Sequence, residues 1–535
     1  MTSNTPPRLT QRRKRRDRLK KREDDSSLDS PTSTSATTPI IDAKLASTQL
    51  KTKAERPYFK YLSDTKIEIL RNKAFDLLAK HGVFINHDQM ASLLVKAGAV
   101  LDTDGLRVRL PSELVSQALQ ETPKTLTLFS KSGAHNLALP RIDGTFHMRT
   151  GTGAHGYIDP FTSEHRKLTL DDAKGIARIG EGLPEIGFIA HPFVNGVPEI
   201  TSDLHGFAAV AGTTEKHNWI QPYNAENVSY LMRVAAIAAG GEENLRARPS
   251  ASCIACSFTP LEFKRMDVEA ILQSAFYGVP IHACSLPTAG GTSPITMSAT
   301  VLMAAAEILA MVTMAHVAGP TTPVIATPLI FALDVRTGRS LQSSVEAMTG
   351  ISMAVQLMKQ GFGLLTHTYG SGSDTPDTDG QSQAERAMIC NQVALAKADI
   401  LGGVGQLECA TVFSPAQAVM DNELGAMMRR YLASPSIDDE TLNWSAMLEI
   451  ELGGHFLANE HTLKYCRHNL DPGVFLRLAR DSYTQVGHRD ALDNARIIAQ
   501  NIINAPFLPG TPDEDQRRDM AAIVAAGDAH ITGAI

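Results

Sequence analysis

The sequence predicts an α/β protein whose body is a (β/α)8 TIM barrel, with a small N-terminal α/β cap and a C-terminal helical extension. Between Phe146 and Pro415, a short apolar run, a glycine-rich or small polar turn and a helix-like stretch recur about eight times. Short apolar runs that alternate with longer amphipathic segments indicate βαβ units and a parallel sheet. About eight such units in roughly 250 residues match what a closed barrel requires.

The apolar runs are the predicted barrel strands, and the polar residues that end them mark the predicted mouth. In chain order the runs are FHMRTGTG, GFIAHPFV, HNWIQPY, SASCIACSF, PIHACSLP, PVIATPLIF, GLLTHTYGSGSD and ADILGGVGQLE. Active sites of such barrels lie at the C-terminal ends of the strands. We therefore seek functional residues at these ends, where small polar residues, glycine and histidine dominate.

Residues 1–55 are predicted to be a disordered tail, because they lack a periodic apolar face. The first part is rich in arginine and lysine, and the second part is rich in serine, threonine and proline. The basic block suits nucleic acid, an anionic surface or a targeting receptor, and it also suits a solvated tail without a partner. The whole chain has a net charge of −6 although its first part is basic, so the remaining residues are distinctly acidic. Nucleic acid is therefore not an expected partner of the folded part of the chain.

Residues 56–140 are predicted to form the N-terminal α/β cap. Asp64 is the expected cap of a helix that ends near His81, and His87 to Ala97 forms a second helix. The segment LRVRLP alternates as an edge strand does, Pro111 opens a third helix, and TLTLFS forms another strand.

The barrel is assigned to residues 141–435 and the helical extension to residues 436–535, with a final helix from Ala491 to Ile503. The apolar stretch from Thr296 to Gly319 has the length of a membrane span. It contains Glu307, however, and falls where the fifth barrel helix is due, and a central carboxylate is costly in lipid. We therefore expect a buried helix, no membrane, and a homo-oligomer whose second subunit covers the outer face of this helix.

The cysteines predict a cytoplasmic protein with reduced thiols, because they are scattered through a long chain without a secretory signal. Cys253 and Cys256 form a C-x-x-C, a spacing that zinc ligands use. On a strand, however, residues three apart point to opposite faces. His455 and His461 do not share a helical turn. The sequence therefore predicts buried thiols and no metal site.

Two glycine-rich strand ends, Gly151–Gly153 and Gly402–Gly405, match neither a Walker motif nor a dinucleotide fingerprint. Glycine at such positions more often permits a tight turn or the close approach of a ligand. A G-x-S-x-G motif does not occur in the sequence, so serine hydrolase chemistry has no support.

Six phrases occur in a fixed order through the body of the chain. They are HGVFINHDQMASLLVKAGAVLD, GTGAHGYIDP, DVRTGRSLQSS, SDTPDTDGQSQAER, DNELGAMMRRYL and GGHFLANEHTL. Together they resemble the trimethylamine methyltransferase family, from about Tyr61 into the last hundred residues. The resemblance implies a (β/α)8 enzyme that moves a methyl group from a methylated amine to the Co(I) of a separate corrinoid protein. The corrinoid is then carried by that partner, and no cofactor binds the enzyme directly.

Founding members of that family carry pyrrolysine at the barrel mouth, which the motifs place at Gly372 here. The sequence contains no such residue. The resemblance therefore implies the branch without pyrrolysine, whose substrates are glycine betaine and related quaternary amines. A quaternary ammonium has no lone pair to add to the pyrrolysine imine, and its tertiary amine is already a competent leaving group.

Three residues at the end of the seventh strand, Tyr369, Gly372 and Asp374, are predicted to be catalytic. Asp374 or Glu408 would supply negative charge near the substrate cation. Asp374 and Asp379 also precede a helix, so both are candidate N-caps. We predict that Asp374→Ala lowers turnover far more than stability, and equal losses of both would indicate a structural cap.

The predicted substrate-binding residues are aromatic or charged. Aromatic faces bind quaternary cations, while histidine, arginine or a helix N-terminus binds a substrate carboxylate. The set is Tyr223, Phe331, Phe413, Glu408, His155, His191, Arg336 and His455, with Phe258 as a further ring. Each ring is also a candidate for core packing. His455, in the extension, either folds over the mouth or braces the extension.

Two alternative functions stay open: a barrel that binds or transforms quaternary amines without methyl transfer to cobalt, and a non-catalytic assembly protein.

Overall fold

Eight parallel strands close into a barrel at the positions of the eight predicted runs, so the predicted fold class is confirmed. The structure, a computed structural model, describes residues 56–103, 105, 107–506 and 510–533, with Leu45 and Leu50. The predicted tail, residues 1–55, lies outside the described residues apart from these two leucines. The cap, barrel and extension belong to one compact unit that runs from Ala43 to Ile535.

The barrel strands are numbered β1 to β8 in chain order. They are β1 His147–Thr150, β2 Ile186–Ala190, β3 His217–Ile220, β4 Ala251–Cys256, β5 Ile281–Ser285, β6 Val324–Pro328, β7 Leu365–Tyr369 and β8 Ile400–Val404. Each strand pairs with the next along the chain, and β8 pairs with β1 to complete the ring.

One main helix follows each strand and packs outside the ring. These are α1 Leu170–Gly182, α2 Ser202–Ala211, α3 Ala225–Ala238, α4 Arg265–Tyr277, α5 Met297–Ala318, α6 Val345–Gln356, α7 Gly380–Leu395 and α8 Pro415–Tyr431. Shorter helical pieces are Glu199–Thr201, Glu242–Ala247, Leu357–Gly361 and Cys466–His468.

Several of these helices begin at a side chain that accepts a backbone N–H of the first turn. The caps are Thr169, Asn224, Ser344, Asp379 and Ser414. Such a side chain satisfies an amide that the helix leaves unpaired, so it fixes where a loop becomes a helix. The N-cap alternative for Asp379 is therefore confirmed.

Helix α5 is a core helix, as its buried carboxylate predicts. It is long and apolar enough to cross a membrane, but 72% of its most apolar window is buried inside the molecule. Glu307 accepts hydrogen bonds from Ser257 Oγ at 2.6 Å and Thr259 Oγ1 at 2.9 Å. The outer face, for which the sequence predicts a second subunit, is covered instead by the chain's own helices Asp64–Lys80 and Ser112–Glu121.

Three helices of the N-terminal segment lie where the sequence predicts them, at Asp64–Lys80, Asp88–Lys96 and Ser112–Glu121. The cap of the first is Ser63, whose Oγ accepts the N–H of Lys66 at 3.4 Å. Ser63 has an extended backbone and Asp64 is already helical, so the prediction of Asp64 as the cap is wrong by one residue.

A four-stranded sheet connects the N-terminal segment to a barrel loop. Its order is Glu262–Phe263, Val83–Ile85, Arg107–Arg109, Val100–Leu101. The prediction of an edge strand for LRVRLP is wrong, because Arg107–Arg109 pairs on both sides. One edge strand comes from the loop between β4 and α4, so this sheet ties the cap to the mouth of the barrel.

A β-hairpin closes the N-terminal end of the barrel. Its strands, Leu126–Leu128 and Leu137–Leu139, pair antiparallel. Their leucines form one buried cluster with residues near the N-terminal ends of three barrel strands, Ile325, Leu365 and Ile400. The carbonyl of the adjacent Phe129 lies 2.9 Å from Nδ1 of His217 inside the barrel. The interior therefore opens toward the opposite end.

Two small sheets made by βα loops flank that opposite end. One contains Thr288–Ala289, Phe331–Asp334 and Arg339–Leu341, and the other contains Gln406–Leu407, Val412–Phe413, Gly156–Ile158 and His165–Lys167. They hold the loops that follow β1, β5, β6 and β8 in fixed positions.

The C-terminal extension is helical, as predicted. Its helices are Asp439–Leu442, Trp444–Glu449, Glu460–Tyr465, Arg480–Gln485, Ala491–Asn504 and Glu514–Ile531. The predicted helix at Ala491 packs against α1 and α8, and Glu514–Ile531, which the sequence analysis did not single out, packs against α2 and α3. The two longer helices thus add a second layer to one side of the barrel.

Candidate active site

A cavity of about 320 Å³ lies at the C-terminal mouth of the barrel. Its walls come from strand ends and from the βα loops. The lining includes Arg149, Trp219, Cys256, Asp267, Phe331 and Tyr369. A concave site with aromatic walls and a few convergent polar groups is the usual form of a small-molecule site.

Arg149 lies on β1 and reaches into the barrel, where it is 1% exposed. Its Nε donates to Nε2 of His367 at 3.1 Å, and its Nη1 donates to the carbonyl of Thr150 at 2.6 Å. The guanidinium carbon lies 4.2 Å from the ring centroid of Trp219. The guanidinium forms no ion pair with a carboxylate of the described residues, and burial lowers the pKa of Arg149 to about 10.

Rings from β2, β3, β5 and β7 fill the barrel around this arginine. Phe188, Trp219, His282 and His367 lie with centroids 4.3 to 6.4 Å apart. Burial, and then the charge of Arg149, hold the pKa of His282 and of His367 well below the ordinary value. His367 is therefore neutral and accepts at Nε2, which places its proton on Nδ1.

Trp219 presents a buried donor beside the guanidinium. The side chain is 1% exposed and lines the cavity. Its Nε1–H has no hydrogen-bond partner among the described residues. Because buried N–H groups are nearly always paired in native proteins, an unpaired donor in a side chain that lines the cavity is a feature that a ligand would explain.

Asp267 brings a carboxylate to the cavity wall from the first turn of α4. One of its oxygens accepts the backbone N–H of Cys256 at 2.9 Å. Burial raises the pKa of Asp267 to about 6, against the opposing effect of backbone hydrogen bonds. The side chain is therefore an anion at neutral pH and takes up a proton in mildly acidic solution.

Two of the predicted site residues, Phe331 and Tyr369, meet in the cavity wall. Their rings lie edge to face with centroids 6.2 Å apart, and both side chains are buried. Burial raises the pKa of the Tyr369 hydroxyl above its ordinary value, so the phenol stays protonated. With Trp219 they give the cavity three aromatic side chains, the kind of surface that binds quaternary ammonium groups.

The other predicted rings lie apart from the cavity lining that the structure describes. Tyr223 is 46% exposed and packs edge to face on Phe193, with ring centroids 5.8 Å apart. Phe258 is also exposed, and the ammonium of Lys264 lies 3.3 Å from its ring centroid. Phe413 is buried against Gly405, which makes it a packing residue of the β8 strand end.

The predicted histidines and Arg336 are likewise separate from the lining side chains. His191 is buried, both of its ring nitrogens meet backbone groups, and burial lowers its pKa to about 4. His155 is exposed, and His455 is exposed in the C-terminal extension. Arg336 is exposed and pairs with Asp334 at 3.2 Å.

Asp374 connects two loops beside the cavity. Its carboxylate accepts the N–H groups of Gln342 at 3.0 Å and Ser343 at 2.8 Å. Burial raises its pKa above the ordinary value. The carbonyl of Gly372 accepts the hydroxyl of Ser343 at 3.2 Å. These contacts attach the loop after β7 to the loop before α6.

Glu408 begins a three-residue stretch with positive φ, which continues through Cys409 and Ala410. The latter two line the cavity. Positive φ is costly for residues other than glycine, and it persists where surrounding structure enforces it, often at functional sites. The loop after β8 is therefore held in a strained shape against the cavity.

An ion pair between α7 and α8 supports these strand ends. Arg386 and Asp421 are both fully buried and meet at 2.7 Å. Arg386 also donates to Ser371 Oγ, and Asp421 accepts the N–H of Gly405 at 2.7 Å. A Cβ atom at Gly403 would collide with the carbonyl of Ser371, so glycine is required at this approach of two strand ends.

The two cysteines of the C-x-x-C lie on opposite sides of β4, as the alternation of strand side chains predicts. Cys256 lines the cavity, while Cys253 is buried and burial raises its pKa to about 12. Elsewhere in the described part of the chain, His135, Glu181 and Glu215 bring three candidate ligand atoms within 4.8 Å of one another. These groups already have partners: Thr214 donates a hydrogen bond to Glu181, and Nε2 of His135 lies 2.8 Å from the carboxylate of Glu215.

Sequence reasoning missed three lining residues: Arg149, Trp219 and Asp267. A signal existed for Arg149, because a charged residue interrupts an apolar run that otherwise reads as a buried strand. Trp219 left none, because tryptophan is an ordinary residue of a buried strand. Asp267 left no comparable signal, because its position three residues into a helix resembles that of any first-turn acid.

The sequence is similar to those of named methyltransferases over most of its length. Residues 32–531 match the family model for trimethylamine methyltransferase (MTTB). A trimethylamine methyltransferase of Desulfitobacterium hafniense is 26% identical over 450 residues, which cover 83% of this chain and 90% of the relative. One from Methanosarcina acetivorans is 27% identical, covering 88% and 95%. A glycine betaine methyltransferase of Desulfitobacterium hafniense is 24% identical, covering 80% and 89%.

Among solved structures, the monomethylamine methyltransferase of Methanosarcina barkeri aligns with a TM-score of 0.46 and 13% identity, over 87% of this chain and 93% of that one. The family match spans most of the chain, and the relatives it resembles are named methyltransferases. The chain therefore belongs to the trimethylamine methyltransferase family and is a methyltransferase.

Proposed function

We propose that this enzyme moves a methyl group from a quaternary (or tertiary) methylated amine, such as glycine betaine, to the Co(I) of a cognate corrinoid protein, without pyrrolysine. Relatives named for trimethylamine and for glycine betaine support the methylated amine as the substrate class. The corrinoid partner and the absence of pyrrolysine are part of the proposal.

The observation that carries the proposal is the composition of the cavity. Three aromatic side chains, Trp219, Phe331 and Tyr369, line it together with the carboxylate of Asp267. Rings and a carboxylate hold a quaternary ammonium through electrostatic attraction without a hydrogen bond, which such a cation cannot donate. In this proposal Asp267 supplies the compensating negative charge, for which the sequence predicts Asp374 or Glu408.

The cavity suits a small amine, with the methyl acceptor brought by a partner. Its volume of about 320 Å³ lies at the small end of the range for small-molecule pockets. The hairpin of Leu126–Leu128 and Leu137–Leu139 closes the far end of the barrel, so a large group can approach only the mouth. A corrinoid presented there supplies a strongly nucleophilic reduced cobalt as the methyl acceptor.

The residues of this chain then have three tasks: to bind the cation, to aim one methyl group at the mouth and to exclude water. As the methyl group leaves, the C–N bond pair stays on nitrogen and gives a neutral tertiary amine, so no proton is needed. The protonated Tyr369 and the neutral His367 agree with a site that does not titrate during the step.

The position predicted to match pyrrolysine is crowded. A Cβ atom on Gly372 would lie 3.0 Å from Nε2 of Gln342, which itself donates to the carbonyl of Ser373 at 3.3 Å. A side chain at Gly372 would require the end of Gln342 to move by a few tenths of an ångström. Glycine leaves this hydrogen bond of Gln342 undisturbed, and the proposed transfer needs no side chain here.

Two other parts of the proposal concern the setting of the enzyme. All six cysteines are free thiols, which supports a reducing, cytoplasmic location. The extension exposes several large apolar side chains, among them Ile437, Trp444, Leu448, Leu452 and Leu457. Exposed apolar surface of this kind favours association, so a homo-oligomer stays a prediction.

The test incubates the purified enzyme with reduced corrinoid and a panel of amines: glycine betaine, proline betaine, carnitine, choline and trimethylamine. We expect demethylated product, such as dimethylglycine from glycine betaine, together with stoichiometric methylation of the corrinoid. Omission of the reductant is the control. Saturable amine binding without any demethylated product would instead favour the alternative function, a barrel that binds or transforms quaternary amines without methyl transfer to cobalt.

A further inference from the structure

Arg149 is a buried cation whose charge nothing nearby compensates in the described part of the chain. Its neighbours are a neutral imidazole, a backbone carbonyl and an indole face. Each of these stabilises a cation only weakly, and burial of an unpaired ion is costly. A buried charge without a counterion is therefore expected where a ligand brings the opposite charge.

Two donors near Arg149 point to an acceptor with more than one oxygen. The Nη2 group of Arg149 makes no hydrogen bond with the described residues, whereas Nε and Nη1 are both engaged. The Nε1–H of Trp219 is buried and unpaired in the described structure. Both side chains line the cavity, and the guanidinium lies over the indole. A carboxylate accepts hydrogen bonds at both oxygens, so one such group could satisfy both donors.

We propose that Arg149 and Trp219 bind the carboxylate of a zwitterionic substrate, with Asp267 and the aromatic rings facing its quaternary ammonium. This inference rests on the proposed function and narrows its substrate class to betaines, which carry a carboxylate as well as an N-methyl group. The side chains that line the cavity then offer one cation and one anion, the charge pattern complementary to a zwitterion.

The position of the charges along the barrel also sets the orientation of the substrate. Arg149 and Trp219 belong to strands, β1 and β3, whereas Asp267 and Phe331 belong to the loop-and-helix layer that follows the strands. The carboxylate therefore lies deeper and the methyl groups lie nearer the mouth. This is the orientation that methyl transfer to an external acceptor requires.

The experiment measures ligand affinity by calorimetry on the full-length enzyme without a corrinoid, so that it does not depend on methyl transfer. The probes are glycine betaine, tert-butylacetate, which keeps the carboxylate but replaces the ammonium by carbon, and tetramethylammonium, which lacks a carboxylate. The variants are Arg149→Met and Trp219→Phe. Arg233→Met, at an exposed arginine on α3, is the matched control.

We expect Arg149→Met to weaken glycine betaine and tert-butylacetate by about 100-fold and to leave tetramethylammonium within about threefold. Trp219→Phe should weaken the two carboxylates by about tenfold, because it removes one hydrogen bond to a charged group. The control should change none of the affinities. Retained tetramethylammonium binding reports that the cavity of each variant is folded.

Equal affinity of wild type and Arg149→Met for glycine betaine would overturn the proposal, as would equal weakening of all three probes. Binding of chloride or acetate to Arg149 as tight as that of glycine betaine would overturn the zwitterion assignment. The proposed function can fail separately. If Arg149→Met weakens carboxylate binding but no dimethylglycine forms with reduced corrinoid, the carboxylate site is supported and methyl transfer is not. If dimethylglycine forms equally well with Arg149→Met, methyl transfer is supported and the carboxylate site is not.

Discussion

Arg386 and Arg149 are both fully buried arginines at the C-terminal half of the same barrel, yet their surroundings are opposite. Arg386 meets the carboxylate of Asp421 at 2.7 Å and also donates to two serine hydroxyls. Arg149 meets an imidazole nitrogen, a carbonyl and the face of Trp219, without a carboxylate of the described residues. Each guanidinium is buried to the same extent, and only one has a counterion supplied by the protein.

The difference separates charges that serve the fold from charges that serve a ligand. A buried ion pair fixes the positions of the elements that carry it, and removal of one partner leaves the other charge unpaired. A buried ion without a partner destabilises the free protein. The lowered pKa of Arg149 corresponds to a cost of about 3 kcal/mol for its charged form relative to its neutral form. A fold retains such a cost where function requires it.

The largest expected effect comes from breaking the paired arginine. Arg386→Met should lower the free energy of unfolding by about 3–5 kcal/mol, because Asp421 is then a buried charge without a partner. Chemical denaturation measures the loss. The double variant Arg386→Met with Asp421→Leu should recover part of it, and a double variant as unstable as the sum of the single variants would contradict the pairing.

Removal of the unpaired arginine should act in the opposite direction on stability. Arg149→Met should raise the free energy of unfolding of the unliganded protein by about 1–3 kcal/mol, because a desolvated charge is replaced by an apolar side chain. Thermal unfolding without and with glycine betaine measures the effect. Glycine betaine should stabilise the wild type more than it stabilises the variant. If the variant without ligand is less stable than the wild type without ligand, Arg149 contributes to the fold as Arg386 does, and the contrast between them is wrong.

The same comparison can be made between two carboxylates, Asp374 and Asp267. The hydrogen-bond donors that Asp374 meets belong to the protein, as the counterion of Arg386 does. Asp374→Ala leaves the N–H groups of Gln342 and Ser343 without their acceptor, so it should lower the free energy of unfolding by about 1–3 kcal/mol. Turnover per folded molecule and the melting temperature, measured together, test the role. A turnover loss that exceeds the loss of folded enzyme would support the catalytic role that the sequence predicts for Asp374.

Asp267 is the carboxylate that faces the ligand, and it should give the smallest effect. Its pKa of about 6 lies above the ordinary value, so it is charged at pH 7 and protonated at pH 5. A cation prefers the charged form of this carboxylate. The ionised fraction of Asp267 falls about tenfold from pH 7 to pH 5, so the affinity for tetramethylammonium should fall by about tenfold as well. Asp267→Asn should bind as weakly at both pH values, and a wild-type affinity independent of pH would exclude this role.

Much of the fold was predictable because it depends on periodicity. Eight apolar runs of similar length specify eight strands, and the glycine-rich or polar turns after them specify where the strands end. The errors were local. Ser63, not Asp64, caps the first helix, and Arg107–Arg109 is a central strand. Both features depend on which residue completes a backbone hydrogen bond, and the local sequence alone does not specify that partner.

The site was less predictable, because its chemistry depends on side chains brought together from distant positions. Phe331 and Tyr369 were identified at strand ends and do line the cavity. Tyr223, Phe413, His155 and His191 also follow barrel strands in the sequence, but they do not line the cavity. Neither do Arg336, in a βα loop, and His455, in the extension. Arg149 was overlooked within an apolar run, because its burial becomes evident only when the ring of strands closes around it.

The hairpin beneath the barrel has a kinetic consequence. With Leu128, Leu137 and Leu139 packed across the N-terminal end, a molecule that enters the cavity must leave by the route it took in. If the methyl acceptor docks at that same opening, the amine has to bind first and the demethylated product has to wait for the partner to dissociate. The sequence of events would then be compulsory, and excess corrinoid protein should inhibit the enzyme by occupying the entrance before the amine arrives.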